Sequence, residues 1–284
     1  MTPKPGVAFI GLGRMGGPMC DHLPVAGFDV SVFDVASEAM TARVDAGARG
    51  ATSPADAALG ADVVSVVVFD AAQARAVLTG PDGLLSTLAP GAVVCVHTTV
   101  SLDTIRELAA IADPHGVTVL DAGISGGEPG AAKGTLLTMV GGPTDALERA
   151  RPVLDAYSSV VLHAGPLGTG MALKLARNAT SFAFMAVVHE ALVLADAAGV
   201  DPAMLRQALE TTGLFEQSLT PLALGPPVPL APDAPASFRA TLEHAVAMAD
   251  KDLDQAIRLA DELDVPHGFF AQTRANFAPV MRVG

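Results

Sequence analysis

The chain has 284 residues, of which half are hydrophobic and only 4% are aromatic, so we expect two domains with cores built mainly from Ala, Val and Leu. Its formal net charge of −13 and sequence pI of about 4.8 argue against a surface that binds nucleic acid or an anionic membrane, because both require clustered cations. Cys20 and Cys95 allow one disulfide at most and lack metal-ligand spacing, which favours a reducing compartment.

The sequence predicts a cytoplasmic protein. Residues 1–7 lead directly into a strand and lack the charged-then-apolar layout of a signal peptide. The longest apolar stretch, residues 181–199, is interrupted by His189, Glu190 and Asp196. We therefore expect it to form a buried helix rather than a membrane span.

A strand, a glycine-rich turn and a helix open the chain. Apolar runs predict strands at Val7–Ile10 and Val30–Phe33. Between them lies a G-x-G-x-x-G turn, followed by a helix to about Val25; the turn consists of Gly11, Leu12, Gly13, Arg14, Met15 and Gly16. Asp34 ends the second strand about twenty residues after the glycines, where a ribose-binding carboxylate belongs.

These features together predict a dinucleotide site. The glycines allow the backbone to approach a pyrophosphate closely, and the helix N-terminus supplies N–H donors. Asp34 would accept hydrogen bonds from the ribose hydroxyls and repel a 2′-phosphate, which favours NAD over NADP. FAD is the main competitor, and these residues alone do not exclude it. The simplest alternative is a structural turn followed by a surface Asp.

Alternating strands and helices continue through the first half. Strands are predicted at residues 63–69, Val93–Val96 and residues 117–120, and helices at residues 55–59, 71–78 and Leu102–Ala112. This alternation predicts a parallel, doubly wound sheet that binds ligands at the carboxyl ends of its strands. Phe69 and the pair Thr98-Thr99 fall at two such ends. The threonines are candidates to contact the nicotinamide or the substrate, or equally to cap the helix that begins near Ser101.

A third strand end carries a serine and two glycines. Within residues 121–127, Ser125, Gly126 and Gly127 form a turn of exposed backbone N–H groups, which suits a carboxylate or a phosphate. The alternative is a plain glycine-rich connection, but the turn falls on the same sheet edge as the glycine fingerprint. Strands at residues 136–140 and 160–162 then complete a first domain, predicted to span residues 1–164.

The second half, residues 165–284, is predicted to be all-α. A helix over residues 169–198 is apolar all round, so both domains or a partner subunit must cover it. A second helix follows Asp201-Pro202. Residues 220–237 carry six prolines and are predicted to be a loop or lid, with Ser237 capping the next helix. That helix, over residues 238–263, and a last one from Pro266 complete the domain.

The long helix carries a candidate site at its start. Gly170, Lys174 and Asn178 are spaced four residues apart, which places them on one helical face. Lys174 lies among apolar neighbours, an unusual setting for a lysine that only solvates the surface. An ammonium and an amide beside a glycine gap therefore indicate a site.

Four motifs in order resemble those of the β-hydroxyacid dehydrogenases, a family that includes 3-hydroxyisobutyrate dehydrogenase and tartronate semialdehyde reductase. Residues 9–16 are similar to its dinucleotide signature, 121–135 to its substrate segment, 170–178 to its catalytic G-x-x-x-K-x-x-x-N, and 251–253 to its C-terminal lysine motif. The resemblance covers nearly the whole chain. It implies a Rossmann domain, a long interdomain helix and an α-helical domain that often mediates dimers or tetramers. Departures occur at the strand end near Phe69 and at His97-Thr98-Thr99.

The resemblance implies hydride transfer between NAD and a short β-hydroxy acid, with Lys174 as general acid and base. The residues implied to contact the substrate are Ser125, Gly126, Gly127, Asn178, Thr98 and Lys251, and Phe69, Thr98 and Lys251 are also expected beside the cofactor. No metal is required. An imine reductase and a sugar-acid dehydrogenase of the threonate or glycerate type are the alternatives. A non-catalytic nucleotide-binding protein and a decarboxylating phosphogluconate dehydrogenase are less consistent with the residues.

Overall fold

A computed structural model describes residues 4–225 and 227–283 of the chain. The chain forms two compact units, Met1–Asn178 and Ala179–Gly284. The first unit is an α/β domain of the Rossmann type, and the second is helical. The prediction of an α/β domain followed by an all-α domain, which was made from the residue patterns, is therefore confirmed.

An eight-stranded sheet forms the centre of the first unit. Its strands, in the order β3-β2-β1-β4-β5-β6-β7-β8, are β1 (Val7–Ile10), β2 (Val30–Phe33), β3 (Arg49–Gly50), β4 (Val63–Val66), β5 (Val93–Val96), β6 (Thr118–Ser125), β7 (Leu136–Gly141) and β8 (Ser158–Gly165). All neighbouring strands are parallel except β6 and β7, which are antiparallel. The prediction of a wholly parallel sheet is wrong at this pair, because the link over residues 126–135 is too short for a parallel crossover.

Helices cover both faces of this sheet. They are α1 (Gly16–Val25), α2 (Ser37–Asp45), α3 (Pro54–Ala57), α4 (Ala71–Thr79), α5 (Leu102–Ala112), α6 (Gly127–Lys133) and α7 (Thr144–Leu154). Successive residues of β1 point to opposite faces: Val7 and Phe9 belong to one buried cluster, and Ala8 and Ile10 belong to the other. A sheet buried on both faces explains why its central strands are continuous apolar runs.

The second unit is built from helices in every regular element that the structure describes. The long α8 (Thr169–Ala197) begins in the first unit and continues into the second, followed by α9 (Pro202–Thr211), α10 (Leu214–Ser218), α11 (Thr220–Ala223), α12 (Ala236–Glu262) and α13 (Gly268–Val280). Two predictions are wrong in detail. The start of the proline-rich segment is helical, since Pro221 occupies the first turn of α11, where its missing N–H is tolerated. Ser237 lies inside α12 rather than at its N-cap position, which Pro235 occupies. Pro226, within the predicted loop, lies outside the described residues.

Helix α8 is more exposed than predicted. Phe182 and Met185 expose 66% and 63% of their surface, so the helix is not buried within the single chain. By length and composition alone α8 could cross a membrane, which is weak evidence for a span. Glu190 on this helix is buried and accepts a hydrogen bond from the Phe269 backbone N–H at 2.8 Å. Whether the other domain or a partner subunit covers the apolar surface of α8 stays a prediction.

Candidate active site

The glycine turn after β1 is shaped by two close backbone approaches. Gly11 has a φ of +92°, and a Cβ at this position would collide with the Val67 carbonyl oxygen. A Cβ on Gly16 would collide with the carbonyl oxygen of Gly11, so only glycine is accommodated at either position. Gly13 differs, because a Cβ there would meet nothing within 4 Å. The turn is thus open at Gly13, where a backbone can approach a pyrophosphate.

Asp34 connects the end of β2 to this turn. Its Oδ2 accepts a hydrogen bond from the Leu12 backbone N–H at 2.6 Å, and its Oδ1 accepts one from the Ala36 N–H at 2.8 Å. Both carboxylate oxygens retain lone pairs for further donors, since each accepts only one of these bonds. The carboxylate is therefore fixed in place before any ribose hydroxyl reaches it.

A cavity of about 320 Å³ lies beside the turn. Gly13, Asp34 and Phe69 line it together with apolar residues from the ends of β1, β2 and β4. Phe69 is 88% exposed, and its backbone N–H donates to the Gln73 side-chain oxygen at 3.0 Å. The ring is free to cover a planar ligand in this cavity. Four of the predicted cofactor residues, Gly11, Gly13, Asp34 and Phe69, thus line one cavity, and the residues present are suited to a dinucleotide.

Arg14 links the turn to the predicted substrate segment. Its guanidinium forms an ion pair with Glu128 at the start of α6. Both side chains are substantially exposed, so the pair contributes little to stability. It nevertheless shows that the glycine turn and the first turn of α6 lie side by side.

Thr98 is buried after the end of β5, and its hydroxyl already makes two hydrogen bonds. Its hydroxyl donates to the Val68 carbonyl oxygen at 2.9 Å and accepts from the Val68 N–H at 3.1 Å. Since the hydroxyl proton is already used, the side chain can only accept from a ligand. The predicted alternative role in capping α5 is wrong, because Ser101 caps that helix by accepting from the Thr104 N–H.

The predicted carboxylate nest forms the junction of β6 and α6. Ser125 is the last residue of β6, and Gly126 and Gly127 have φ values of +129° and +61°, which explains the two glycines. Gly126 occupies the N-cap position of α6. The turn therefore presents backbone N–H groups at the carboxyl end of β6, beside the hydroxyl of Ser125.

The start of α8 is held against the sheet by Asp121. This carboxylate is fully buried on β6 and accepts hydrogen bonds from the Gly168 N–H at 2.7 Å and the Met171 N–H at 2.6 Å. A Cβ on Gly170 would lie 2.5 Å from the Met139 carbonyl oxygen, so the glycine is required for this close approach. A negative charge at a helix N-terminus is favourable. The first turn of α8 is consequently fixed relative to β6 and β7.

Lys174 lies one turn further along α8 and is only 7% exposed. Its side chain lies across Gly123 of β6, where a Cβ would be 2.7 Å from the lysine Cδ. Burial lowers the pKa of Lys174 below its ordinary value. Among the described residues, no carboxylate contributes an opposing upward shift to this pKa. A lysine with these properties can exchange a proton nearer to neutral pH than an exposed lysine can.

Two further predicted residues contact their own sequence neighbours. Asn178 is partly exposed, and its side-chain oxygen accepts a bond from Arg177 at 3.3 Å. Lys251 lies on α12 in the second unit, where its Nζ is 3.2 Å from the Asp252 carboxylate. Their roles toward a ligand stay predictions.

Three buried polar residues of the first unit were not predicted to be functional. His97, Tyr157 and Ser65 form a hydrogen-bonded chain that ends on the backbone of β6. The sequence offered one signal, a histidine directly after a buried strand, but no signal for its partners. The described residues contain no group of three or more His, Cys, Asp or Glu side chains placed to hold a metal ion.

Comparison with known proteins identifies the family. Residues 6–165 match the NAD binding domain of 6-phosphogluconate dehydrogenase, and residues 168–283 match the family described as NAD-binding of NADP-dependent 3-hydroxyisobutyrate dehydrogenase. The 3-hydroxyisobutyrate dehydrogenase of Pseudomonas aeruginosa is 36% identical over 272 residues, which cover 96% of this chain and 91% of that protein. The chain belongs to the 3-hydroxyisobutyrate dehydrogenase-like family. It is an oxidoreductase of the NAD(P)-dependent 3-hydroxyacid dehydrogenases.

Other members of this β-hydroxyacid dehydrogenase family differ in their substrates. The 3-sulfolactaldehyde reductase of Escherichia coli is 32% identical over 278 residues, covering 98% of this chain and 91% of that protein. A crystal structure of an oxidoreductase from Mycobacterium avium 104 is 34% identical, with a TM-score of 0.86 and 99% of both chains covered. An imine reductase from Myxococcus stipitatus has a TM-score of 0.79 at 20% identity, covering 96% of this chain and 92% of that one, a likeness of fold alone. The predicted family is therefore confirmed, while the substrate differs among its members.

Proposed function

We propose that this family member transfers a hydride between NAD and a short β-hydroxy acid similar to 3-hydroxyisobutyrate, or the corresponding semialdehyde. The observation that carries the proposal is Lys174, a buried lysine with a lowered pKa at the carboxyl edge of a dinucleotide-binding sheet. An exposed lysine at the same helical position would serve solubility only. A lysine whose pKa is lowered by burial is suited to proton transfer.

Lys174 would act as the acid and base of the reaction. In oxidation its neutral amine accepts the proton of the substrate hydroxyl, while the hydrogen on the same carbon leaves with its electron pair. Bound NAD supplies the acceptor for that hydride. In reduction the ammonium returns the proton to the carbonyl oxygen. Burial lowers the pKa of the Lys174 amine, which favours its neutral form relative to that of an exposed lysine.

Ser125, Gly126 and Gly127 would bind the carboxylate of the substrate. The two positive φ values form a turn that would offer its backbone N–H groups to an anion, and the serine adds a hydroxyl donor. Asn178 would orient the substrate, Thr98 would accept a hydrogen bond from the substrate or the nicotinamide, and Lys251 would contact the substrate or the cofactor.

NAD is preferred over NADP in this proposal because of Asp34. The carboxylate borders the cavity beside the glycine turn and would accept from the ribose hydroxyls. A 2′-phosphate in the same place would meet a fixed negative charge. One relative is named an NAD-dependent L-serine dehydrogenase, while the family that residues 168–283 match is described as NADP-dependent. The ratio of kcat/KM for NAD and NADP is therefore the direct measurement.

A sugar-acid dehydrogenase of the threonate or glycerate type is the second candidate, since the strand end at Phe69 departs from the usual family sequence. An imine reductase is disfavoured by the buried Lys174. We further propose that the enzyme is cytoplasmic and forms a homodimer or homotetramer. The exposed apolar side chains of α8 support the assembly.

Lys174→Ala tests the proposal. We expect kcat for the best hydroxy acid to fall by about 10²–10⁴-fold, the usual contribution of a general acid or base, while the dissociation constant for NAD stays unchanged. Steady-state assays should cover 3-hydroxyisobutyrate, glycerate, threonate, 3-hydroxypropionate and a cyclic imine. NAD binding is measured by calorimetry.

Lys4→Ala is the matched control, because Lys4 is an exposed lysine that contacts the Ala26 carbonyl oxygen near the end of α1. This variant should behave as wild type. Wild-type kcat in Lys174→Ala would disprove the role of the lysine. Turnover of the imine and of none of the acids would favour the imine reductase.

A further inference from the structure

A buried chain of hydrogen bonds in the first unit runs from Ser65 through Tyr157 and His97 to the backbone of β6, next to the glycine that Lys174 contacts. Ser65 of β4 and Tyr157, which directly precedes β8, are both fully buried, and their hydroxyl oxygens are 3.1 Å apart. The Tyr157 hydroxyl lies 3.1 Å from Nε2 of His97, which follows β5 and is 2% exposed. Nδ1 of His97 lies 2.7 Å from the Ala122 carbonyl oxygen on β6.

The chemistry of these groups fixes the direction of every bond. A carbonyl oxygen can only accept, so Nδ1 of His97 must carry the proton that it donates to Ala122. In the neutral ring Nε2 is then an acceptor, and the Tyr157 hydroxyl donates to it. The hydroxyl proton of Tyr157 is thereby used, so the Ser65 hydroxyl donates to the Tyr157 oxygen. One tautomer of one histidine satisfies the whole chain.

The His97 imidazole replaces a backbone hydrogen bond that β6 would receive if β5 were longer. Val96, the last residue of β5, pairs with Asp121 of β6, and beyond this pair β5 has ended. The Ala122 carbonyl would otherwise be a buried acceptor without a strand partner on that side, which is costly. His97 supplies the donor and extends the edge of the sheet by one position.

The peptide held in this way supports Lys174. Ala122 is bonded to Gly123, and the Lys174 side chain lies across Gly123, with its Cδ 2.7 Å and its Cβ 3.0 Å from the position of a Cβ on that glycine. Rotation of the Ala122–Gly123 peptide would therefore move the surface on which the lysine rests. We propose that His97 is a positioning residue that sets the Ala122–Gly123 peptide and, through it, the Lys174 amine.

The ring is suited to this role because it remains uncharged. The pKa of His97 is lowered to about 4, mainly by burial; the bond to Ala122 acts in the opposite direction, and the Lys174 charge acts in the same direction as burial. A neutral ring keeps one donor and one acceptor, as the chain requires. The expected effect of His97 on turnover rests on the proposed function of Lys174 as the acid and base of the reaction.

Two substitutions separate the two bonds of the ring. In His97→Asn the amide nitrogen can occupy the place of Nδ1 and keep the bond to Ala122, whereas in His97→Gln the amide can reach only the place of Nε2 and Tyr157. Because a displacement of about 1 Å at a reacting group can cost about 10²-fold in rate, we expect kcat to fall by that order in His97→Gln. His97→Asn should stay within a few-fold of wild type. KM and the dissociation constant for NAD should change in neither.

A second readout is independent of turnover. Acetic anhydride labels lysine amines, and peptide mass spectrometry measures the rate of labelling of Lys174 relative to that of Lys4. In folded protein this ratio depends on the position and surroundings of the Lys174 amine. We expect altered labelling of Lys174 in His97→Gln and wild-type labelling in His97→Asn. Ring ¹⁵N chemical shifts of wild-type protein should show the Nδ1–H tautomer.

The outcomes distinguish this inference from the proposed reaction. Altered labelling in His97→Gln with no wild-type turnover of any hydroxy acid would support the positioning role and reject the reaction. Equal kcat and equal labelling in the two variants would overturn the positioning role. If His97→Gln does not fold, His97→Asn alone decides: a kcat loss of more than about 10-fold in the folded protein overturns the proposal, because its Ala122 bond is kept.

Discussion

Gly123 has no side chain because Lys174 occupies the space above it. Its backbone is not in the left-handed region, so an alanine is conformationally acceptable, and the cost arises from contact alone. We expect Gly123→Ala to move the Lys174 side chain aside and to lower kcat by about 10²-fold, the order that a 1 Å misplacement produces. Steady-state kinetics with the best hydroxy acid measure this change. Thermal unfolding should change little, since the lysine chain is flexible.

Gly268→Ala is the control for this substitution. A Cβ on Gly268 would meet nothing within 4 Å, and the residue begins α13 in the second unit. This variant should keep wild-type kcat. If Gly123→Ala also keeps wild-type kcat, then either Lys174 is not a reacting group or its exact setting is unimportant for the rate.

At the residue scale, the sequence predicted what local spacing determines. Gly170, Lys174 and Asn178 share a face because the helical period is a local property. His97 and Tyr157 are 60 positions apart, and Ser65 and Tyr157 are 92 apart. Which of these side chains meet depends on where β4, β5 and the link between α7 and β8 lie in the fold, and this arrangement cannot be read from a single strand.

At the element scale, α8 depends on a carboxylate from a strand 50 residues earlier. We expect Asp121→Asn to lose one of the two bonds to Gly168 and Met171, because an amide offers one acceptor atom and turns its NH₂ toward the other N–H. A bond to a charged group contributes about 1.5–3 kcal/mol, and the free energy of unfolding should fall by that amount in urea titrations. The kcat should also fall, since Lys174 follows on the same helix.

Asp145→Asn provides the comparison for this variant. Asp145 lies near the start of α7, is 76% exposed, and pairs with Arg149 at 2.9 Å. Exposed pairs of this kind contribute about 0–1 kcal/mol, so both stability and kcat should remain near wild type. Equal stability of the two variants would show that Asp121 does not hold the start of α8.

Some strand boundaries were predictable from the apolar runs of the sequence. The bounds of β1, β2 and β5 coincide with the predicted ones, whereas the strand predicted over residues 63–69 ends at Val66. A longer apolar run therefore predicts a strand but not the residue at which it ends. Strand β6 was predicted to end at Leu120, because Asp121 and Gly123 resemble the start of a loop. In the structure these two residues belong to the strand because they serve α8: one binds its N-terminus, and the other makes room for its lysine.

At the scale of the whole molecule, the reaction class is better determined than the substrate. Relatives 36% and 32% identical to this chain are a 3-hydroxyisobutyrate dehydrogenase and a 3-sulfolactaldehyde reductase. Both names describe chemistry at a carbon that bears oxygen, near an acidic group. The proposed contacts to the hydroxyl and the acid are therefore compatible with several acids.

The exposed side of α8 gives the last prediction, which concerns assembly. Phe182 and Met185 are about two-thirds exposed on this helix. We expect the wild-type protein to sediment as a homodimer or homotetramer. Replacing both residues by Ser should weaken the assembly by at least about 100-fold, because each buried apolar side chain is worth about 1.5–3 kcal/mol. Sedimentation equilibrium over a range of concentrations measures the change.

Leu59→Ser separates this effect from a general loss of surface hydrophobicity. Leu59 is 58% exposed in the first unit, away from α8 in sequence, so its replacement should leave the assembly intact. A monomeric wild-type protein would reject the proposed oligomer and leave the apolar surface of α8 to a different partner. An assembly that survives the double substitution would place the interface on another surface. Dissociation by the α8 substitutions alone would assign the cover of this helix to a second copy of the chain.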